Sequence, residues 1–214
     1  MNNKSCNECG NRLGLKKTSE GIILCRMCYD SIYIREVEPE IECGEANQIT
    51  DHIFLGSEIS ASDFNFISKN NITKILVIAK HMELYFESNP RLTYKQIPVN
   101  DEKTENISKY FDDCFQFIES RTNDFGDAEG NLLVHCAAGM SRSASIVIAY
   151  IMKKHSMKFN DAFNFVKQKR SIINPNPGFI KQLKKYEEYL NHEQNAWHHD
   201  GDTTNTKQTT TNQQ

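Results

Sequence analysis

The chain has 214 residues, 38% of them hydrophobic and 25% charged, with a formal net charge of -3. That length and balance suit one medium-sized domain with a small appendage, and give no electrostatic reason to expect nucleic acid or an anionic membrane as partner. No apolar run approaches the roughly 20 residues of a membrane span, and the opening MNNKSCNECG carries no apolar signal-peptide core.

The first segment, residues 1–42, is cysteine-rich. Four of the seven cysteines fall into two CxxC pairs, Cys6 with Cys9 and Cys25 with Cys28, separated by Gly10 to Leu24. An odd total with this spacing points to metal ligation plus a reactive thiol in a reducing compartment, cytosol or nucleus, rather than to a disulfide framework. Two such knuckles fit a tetrahedral, structural zinc site with four thiolate ligands. The intervening LGLKKTSEGIILC reads as a hairpin turning at SEG, and CRMCYDSIYIRE as a knuckle that opens a helix. Hairpin plus helix resembles a treble-clef zinc finger, a segment too small to fold without its metal. Reduced thiols or a redox pair are the alternative. The acidic EVEPEIECGE, with Pro39, Cys43 and Gly44, then reads as a linker.

Residues 48–192 hold nearly all the apolar periodicity. KILVIA (Lys74 to Ala79) and LLVHC (Leu132 to Cys136) are short continuous apolar runs, as strands buried on both faces require, and HIFLG and YKQIPV read as further strands. Ile107, Tyr110, Phe111, Cys114, Phe115 and Ile118 form one helical stripe, which makes Cys114 a core residue. SASIVIAYIMKKH is apolar nearly all round and predicts a central buried helix. NDAFNFVKQKR and GFIKQLKKYEEYL predict amphipathic helices, the first capped by Asn160. Strands alternating with helices predict an α/β fold, a mainly parallel sheet flanked by helices. Residues 193–214, rich in Thr, Asn and Gln, predict a disordered polar tail.

The chemistry concentrates between Cys136 and Ser143. A cysteine ending a buried strand, a small-residue loop and a helix starting near Arg142 aim backbone N–H groups and a helix dipole at one point. Gly139 permits the turn, and the N–H groups of Ala137, Ala138, Gly139, Met140, Ser141 and Arg142 suit a tetrahedral dianion such as phosphate. The same field stabilises a thiolate at Cys136. Arg142, six residues on, can return to grip two equatorial phosphoryl oxygens. A buried strand-end thiol beside a surface arginine is the plainer alternative, and it makes the spacing, the glycine, His135 and the serines coincidences.

The run His135–Cys136–Ala137–Ala138–Gly139–Met140–Ser141–Arg142–Ser143 resembles the HCxxGxxRS signature of cysteine-dependent protein phosphatases, in the form used by the dual-specificity group. DHIFLGS, NITKILVIA, IPVND and NPNPGFIKQLKKYE resemble the surrounding stretches in order, so the likeness spans Ile49 to Tyr189. It implies that Cys136 attacks phosphorus and that Asp101, in the loop PVNDEKTENIS, protonates the leaving group and then serves as base for water, with Glu102 and Glu105 as rivals. Ser143 would hydrogen-bond the departing thiolate or cap the helix, His135 would orient the loop through a buried hydrogen bond, and Asn176 would either brace the loop or merely begin a helix. The lysines that lipid phosphatases of this superfamily carry in the loop are replaced by Ala137, Ala138 and Met140. The resemblance therefore implies phosphoprotein substrates, phosphotyrosine ahead of phosphoserine and phosphothreonine, and no cofactor for catalysis; what the N-terminal segment binds is not legible, and protein kinases are a candidate partner that no motif here marks. A catalytically idle phosphoprotein-binding module is the rival from another class.

Overall fold

The computed structural model describes residues 16–17, 23–24, 45–120 and 130–200. Strands β1 (Lys16–Lys17) and β2 (Ile23–Leu24) pair antiparallel, Lys16 opposite Leu24, as the hairpin between the two CxxC pairs predicts. Cys6, Cys9, Cys25, Cys28, the expected helix after them, Cys43 and the chain beyond residue 200 lie outside the described residues.

The larger sheet holds β3 (Asn47–Gln48), β4 (Ile53–Gly56), β5 (Ile72–Ile78), β6 (Thr93–Ile97) and β7 (Asn131–His135). Its order is β3-β4-β7-β5-β6, and every pairing is parallel except β3 with β4. Leu133 of central β7 lies opposite Phe54 on one side and Ile75 on the other. Parallel pairing brings the carboxyl ends of β4, β5, β6 and β7 to one edge, where ligands of open α/β sheets bind.

Successive strand side chains alternate between faces. Leu76, Ile78 and Val134 join the core beneath the helices α3 (Phe111–Glu119), α4 (Arg142–His155), α5 (Phe159–Lys169) and α6 (Pro177–Asp200). Ile75, Val77 and Leu133 join the opposite core, which packs against Ile67 and Ala61 of the short helices α1 (Glu58–Ser62) and α2 (Phe64–Lys69). In α4 every side chain from Ser143 to Met152 is buried, and each large apolar one contributes roughly 1.5–3 kcal/mol. That helix cannot turn without exposing a core residue, so its first turn is a rigid mount for what precedes it.

Several expectations need correction in detail. The helix after SMK begins at Phe159 with extended Lys158 as its N-cap, and Asn160 sits inside the first turn. The stripe from Ile107 divides into a 3-10 turn, Ser108–Tyr110, and α3. β6 stops at Ile97, because Pro98 has no N–H to donate. The last helix runs to Asp200, past the expected domain end at 192. α1 and α2 are too short to show a period. The sign for α2 was Asp63, which accepts from Asn65 N (2.9 Å) and Phe66 N (3.2 Å).

Candidate active site

The chain leaves β7 at His135 and enters α4 at Arg142, and the backbone between them has one consistent orientation. Five consecutive carbonyls accept hydrogen bonds from outside the loop: Ala137 O from Glu58 N (3.0 Å), Ala138 O from Arg170 Nη2 (3.3 Å), Gly139 O from Arg170 Nε (3.0 Å), Met140 O from Asn174 N (2.8 Å) and Ser141 O from Ser145 N (2.9 Å). In a trans peptide the N–H points opposite to the C=O. With the carbonyls turned outward, the N–H groups converge inward ahead of the α4 N-terminus, a ready oxyanion cradle. Gly139 makes the turn at φ +68°, and a Cβ there would lie 2.3 Å from Gly56 O and 2.8 Å from Arg170 Nη2. Both the φ and the space demand glycine.

Cys136 is 1% exposed at the floor of this loop, and Ser143 Oγ donates to its sulfur at 3.2 Å. Arg142 Nη1 reaches Val99 O at only 3.5 Å, and its Nε is buried with no hydrogen-bond partner among the described residues. Asp101 Oδ2 lies 3.8 Å from that Nε, an ion-pair distance without a hydrogen bond. A partly buried guanidinium so loosely held has donors free for phosphoryl oxygens.

Asp101 is fixed from its other oxygen. Oδ1 accepts from Ser141 Oγ (2.7 Å) and from Asn176 Nδ2 (2.8 Å), while Asn176 N donates to Ser141 Oγ (3.1 Å). Asn176 Oδ1 meanwhile accepts from Phe179 N (3.0 Å) at the start of α6. Both readings of Asn176 therefore hold: it braces the site and caps a helix. Glu102 and Glu105 stand apart from this arrangement, and Glu105 Oε2 meets Asn100 N at 3.4 Å.

His135 departs from expectation. It is 1% exposed, but its Nδ1 has no hydrogen-bond partner among the described residues. Burial pushes its pKa down to about 4, opposed by the Cys136 backbone and aided by the Arg142 charge. It is neutral beneath the loop, in contact with the Cys136 backbone. Cys114 is fully buried on α3, and burial, with the Asp113 charge, pushes its thiol up to about 12. Such a thiol is inert core.

The loop, Asp101, Arg142 and Asn176 line one open cavity of about 860 Å³, rimmed by Glu58, Lys80, His81 and Met82. The structure brings Cys136, Arg142, Asp101, Ser143 and the loop residues Ala137 to Ser141 together in one place. The additions are Asn176, Ser141 as a partner of Asp101, and Arg170 behind the loop. No group of His, Cys, Asp or Glu suited to a metal occurs among the described residues.

A buried thiol in a ring of inward N–H groups, with an arginine and a carboxyl group above it, defines a cysteine-based phosphate-ester site. Comparison with known proteins places the chain more closely. Residues 53–189 match the family model for the dual specificity phosphatase catalytic domain. Dual specificity protein phosphatase 1B of Arabidopsis thaliana is 38% identical over 146 residues, 68% of this chain and 84% of that protein. Human dual specificity protein phosphatase 7 is 38% identical over 144 residues, 67% of this chain and only 33% of the larger relative. Among solved structures, human tyrosine phosphatase-like serine/threonine/tyrosine-interacting protein superposes with TM-score 0.61 at 36% identity, covering 68% of this chain and 97% of that one. Human DUSP28 does so with TM-score 0.61 at 28% identity, covering 68% and 95%. The chain belongs to the dual-specificity phosphatase family, and its activity is that class of protein phosphatase, a hydrolase. No helix among the described residues is long and apolar enough to cross a membrane.

Proposed function

We propose that this phosphatase hydrolyses phosphotyrosine, and more slowly phosphoserine and phosphothreonine, through a cysteinyl-phosphate intermediate. The reading rests on one observation above all: five outward-held carbonyls turn a ring of N–H groups onto the site facing Cys136. The Cys136 thiolate attacks phosphorus in line, forming the S–P bond as the ester P–O bond breaks. Loop N–H groups and Arg142 hold the equatorial oxygens, and the Asp101 carboxyl gives its proton to the leaving oxygen. Asp101, now a carboxylate, takes a proton from water as that water attacks phosphorus. The S–P bond then breaks and Ser143 Oγ, already on the sulfur, stabilises the thiolate. Inorganic phosphate leaves and Asp101 is again protonated. No cofactor enters these steps. Uncharged side chains at Ala137, Ala138 and Met140 favour phosphoproteins over polyanionic lipid headgroups.

The test is turnover of para-nitrophenyl phosphate and a phosphotyrosine peptide in EDTA, beside Cys136→Ser. Loss of turnover with retained peptide binding is expected, since the cradle stays and the nucleophile goes. Turnover persisting in the variant would refute the mechanism, and a folded, reduced wild type that binds peptide without turnover would make the domain a phosphoprotein-capturing module.

For residues 1–42 we propose a structural zinc held by Cys6, Cys9, Cys25 and Cys28. The CxxC spacing and the antiparallel β1–β2 pair between them support it. One equivalent of zinc in purified protein is expected, removable by chelation without loss of turnover.

A further inference from the structure

Among the described residues Arg170 is the largest fully buried side chain, 2% exposed, at the C-terminal cap of α5. Its planar guanidinium faces two ways. Nε and Nη2 donate to Gly139 O and Ala138 O of the phosphate loop. Nη1 donates to Glu45 O and to Asn47 Oδ1, both at 2.7 Å, where the chain runs into β3. Placing a cation in the interior is expensive unless its donors are used. These donors are used on the two peptides whose other edges carry the Gly139 and Met140 N–H groups, so gripping the oxygens fixes where those N–H groups point. A positive charge behind the loop also adds to its attraction for a dianion at low dielectric. A lysine, a single point donor, cannot span both loop carbonyls and Nη1's two acceptors.

We infer that Arg170 is a positioning residue for the phosphate loop, and that the same guanidinium couples the segment Glu45–Asn47 to the loop's hold on oxyanions. This rests on the reading of the loop as an oxyanion cradle and adds a residue behind it, together with a route by which the chain preceding β3 acts on catalysis. Whatever pulls Glu45 or Asn47 away from Arg170 loosens two of the five carbonyl anchors without touching a group that meets substrate.

The test measures the inhibition constant of orthovanadate in the full chain, for wild type, Arg170→Lys and Asn47→Ala. An inhibition constant does not depend on how much enzyme is active, so a variant that only folds less well leaves it unchanged. Arg170→Lys should weaken vanadate about tenfold or more, and Asn47→Ala, which removes one outer acceptor and leaves Glu45 O, about threefold. An unchanged constant in Arg170→Lys overturns the positioning role, and an unchanged constant in Asn47→Ala overturns the coupling. Should Arg170→Lys not fold, Asn47→Ala decides alone, and its constancy overturns the whole inference. A wild type blind to vanadate would instead refute the cradle.

Discussion

Asn176→Ala separates the chemistry of the Asp101 arrangement from its architecture. The substitution removes two hydrogen bonds, from Nδ2 to Asp101 Oδ1 (2.8 Å) and from Phe179 N to Oδ1 (3.0 Å), and keeps the backbone bond to Ser141 Oγ. The acid acts in its protonated form, and a hydrogen bond to a neutral carboxyl oxygen in this partly exposed position contributes about 0.5–1.5 kcal/mol. If that energy holds the carboxyl group over the leaving oxygen, kcat/KM should fall about 2–13-fold for substrates that need a proton, and most for the poorest leaving groups. Aryl phosphates with acidic phenols need none and should lose less than about threefold. Loss of the α6 cap costs about 1 kcal/mol more, a melting point lower by roughly 2–4 °C. Asn176→Ser supplies a capping hydroxyl too short to reach Asp101, so it should recover the roughly 2–4 °C due to the cap and not the rate. The assay is kcat/KM across a series of aryl phosphates of graded leaving-group acidity, with thermal melts alongside. A uniform loss across the series, or recovery of the rate by serine, would refute the argument that Asn176 acts through Asp101.

Three further outcomes follow from the same geometry. His135 binds its proton far more weakly folded than unfolded, so the unfolded chain takes up protons first as pH falls below 6.5; the domain should lose about 2 kcal/mol by pH 5 and about 3 kcal/mol by pH 4, and His135→Gln should flatten that slope in urea titrations. Gly139→Ala forces φ +68° on a side-chain-bearing residue and drives a Cβ against Gly56 O, so stability should fall by about 2–4 kcal/mol and kcat/KM by about a hundredfold, and near-wild-type kinetics would contradict the loop geometry. Gly178→Ala places a Cβ 1.9 Å from Lys103 O, in the loop that carries Asp101; its loss should be graded by leaving group as in Asn176→Ala, read in the same aryl phosphate series.

The parts of this site that were legible in the sequence are those whose signal is local. The continuous run ending at Cys136, the small residues after it and the apolar helix from Arg142 lie within about twenty residues, where period and spacing can be read directly. Asp101 was legible as a carboxylate in a loop following a strand. Asn176 was legible only as a choice between brace and helix start, because INPNPGF reads equally as a proline-rich helix entry and its decisive partner lies 75 positions away. Arg170 was still less so: at the end of KQKR it looks like a solvated helix terminus, and its acceptors stand 31, 32, 123 and 125 positions distant. The mistaken cap at Asn160 has the same origin in reverse, a local preference overridden because packing of Phe159 against the core starts the helix two residues earlier.

This division has a physical cause. A nucleophile, a base-rich loop or a helix start is a property of side chains and can be written in a few letters. The direction of a backbone N–H is a property of the peptide plane, and here each plane is held by a donor from elsewhere: Glu58 at the start of α1, Arg170 at the end of α5, Asn174 before α6. The signature chooses residues that tolerate the cradle, while the three surrounding elements impose it. A loop of identical sequence without Arg170 and Glu58 N behind it would keep Cys136 and Arg142 and lose the convergence of N–H groups on which anion binding depends. The anchors, rather than the nine signature residues, are where substitutions should alter affinity for phosphate while leaving the catalytic groups intact.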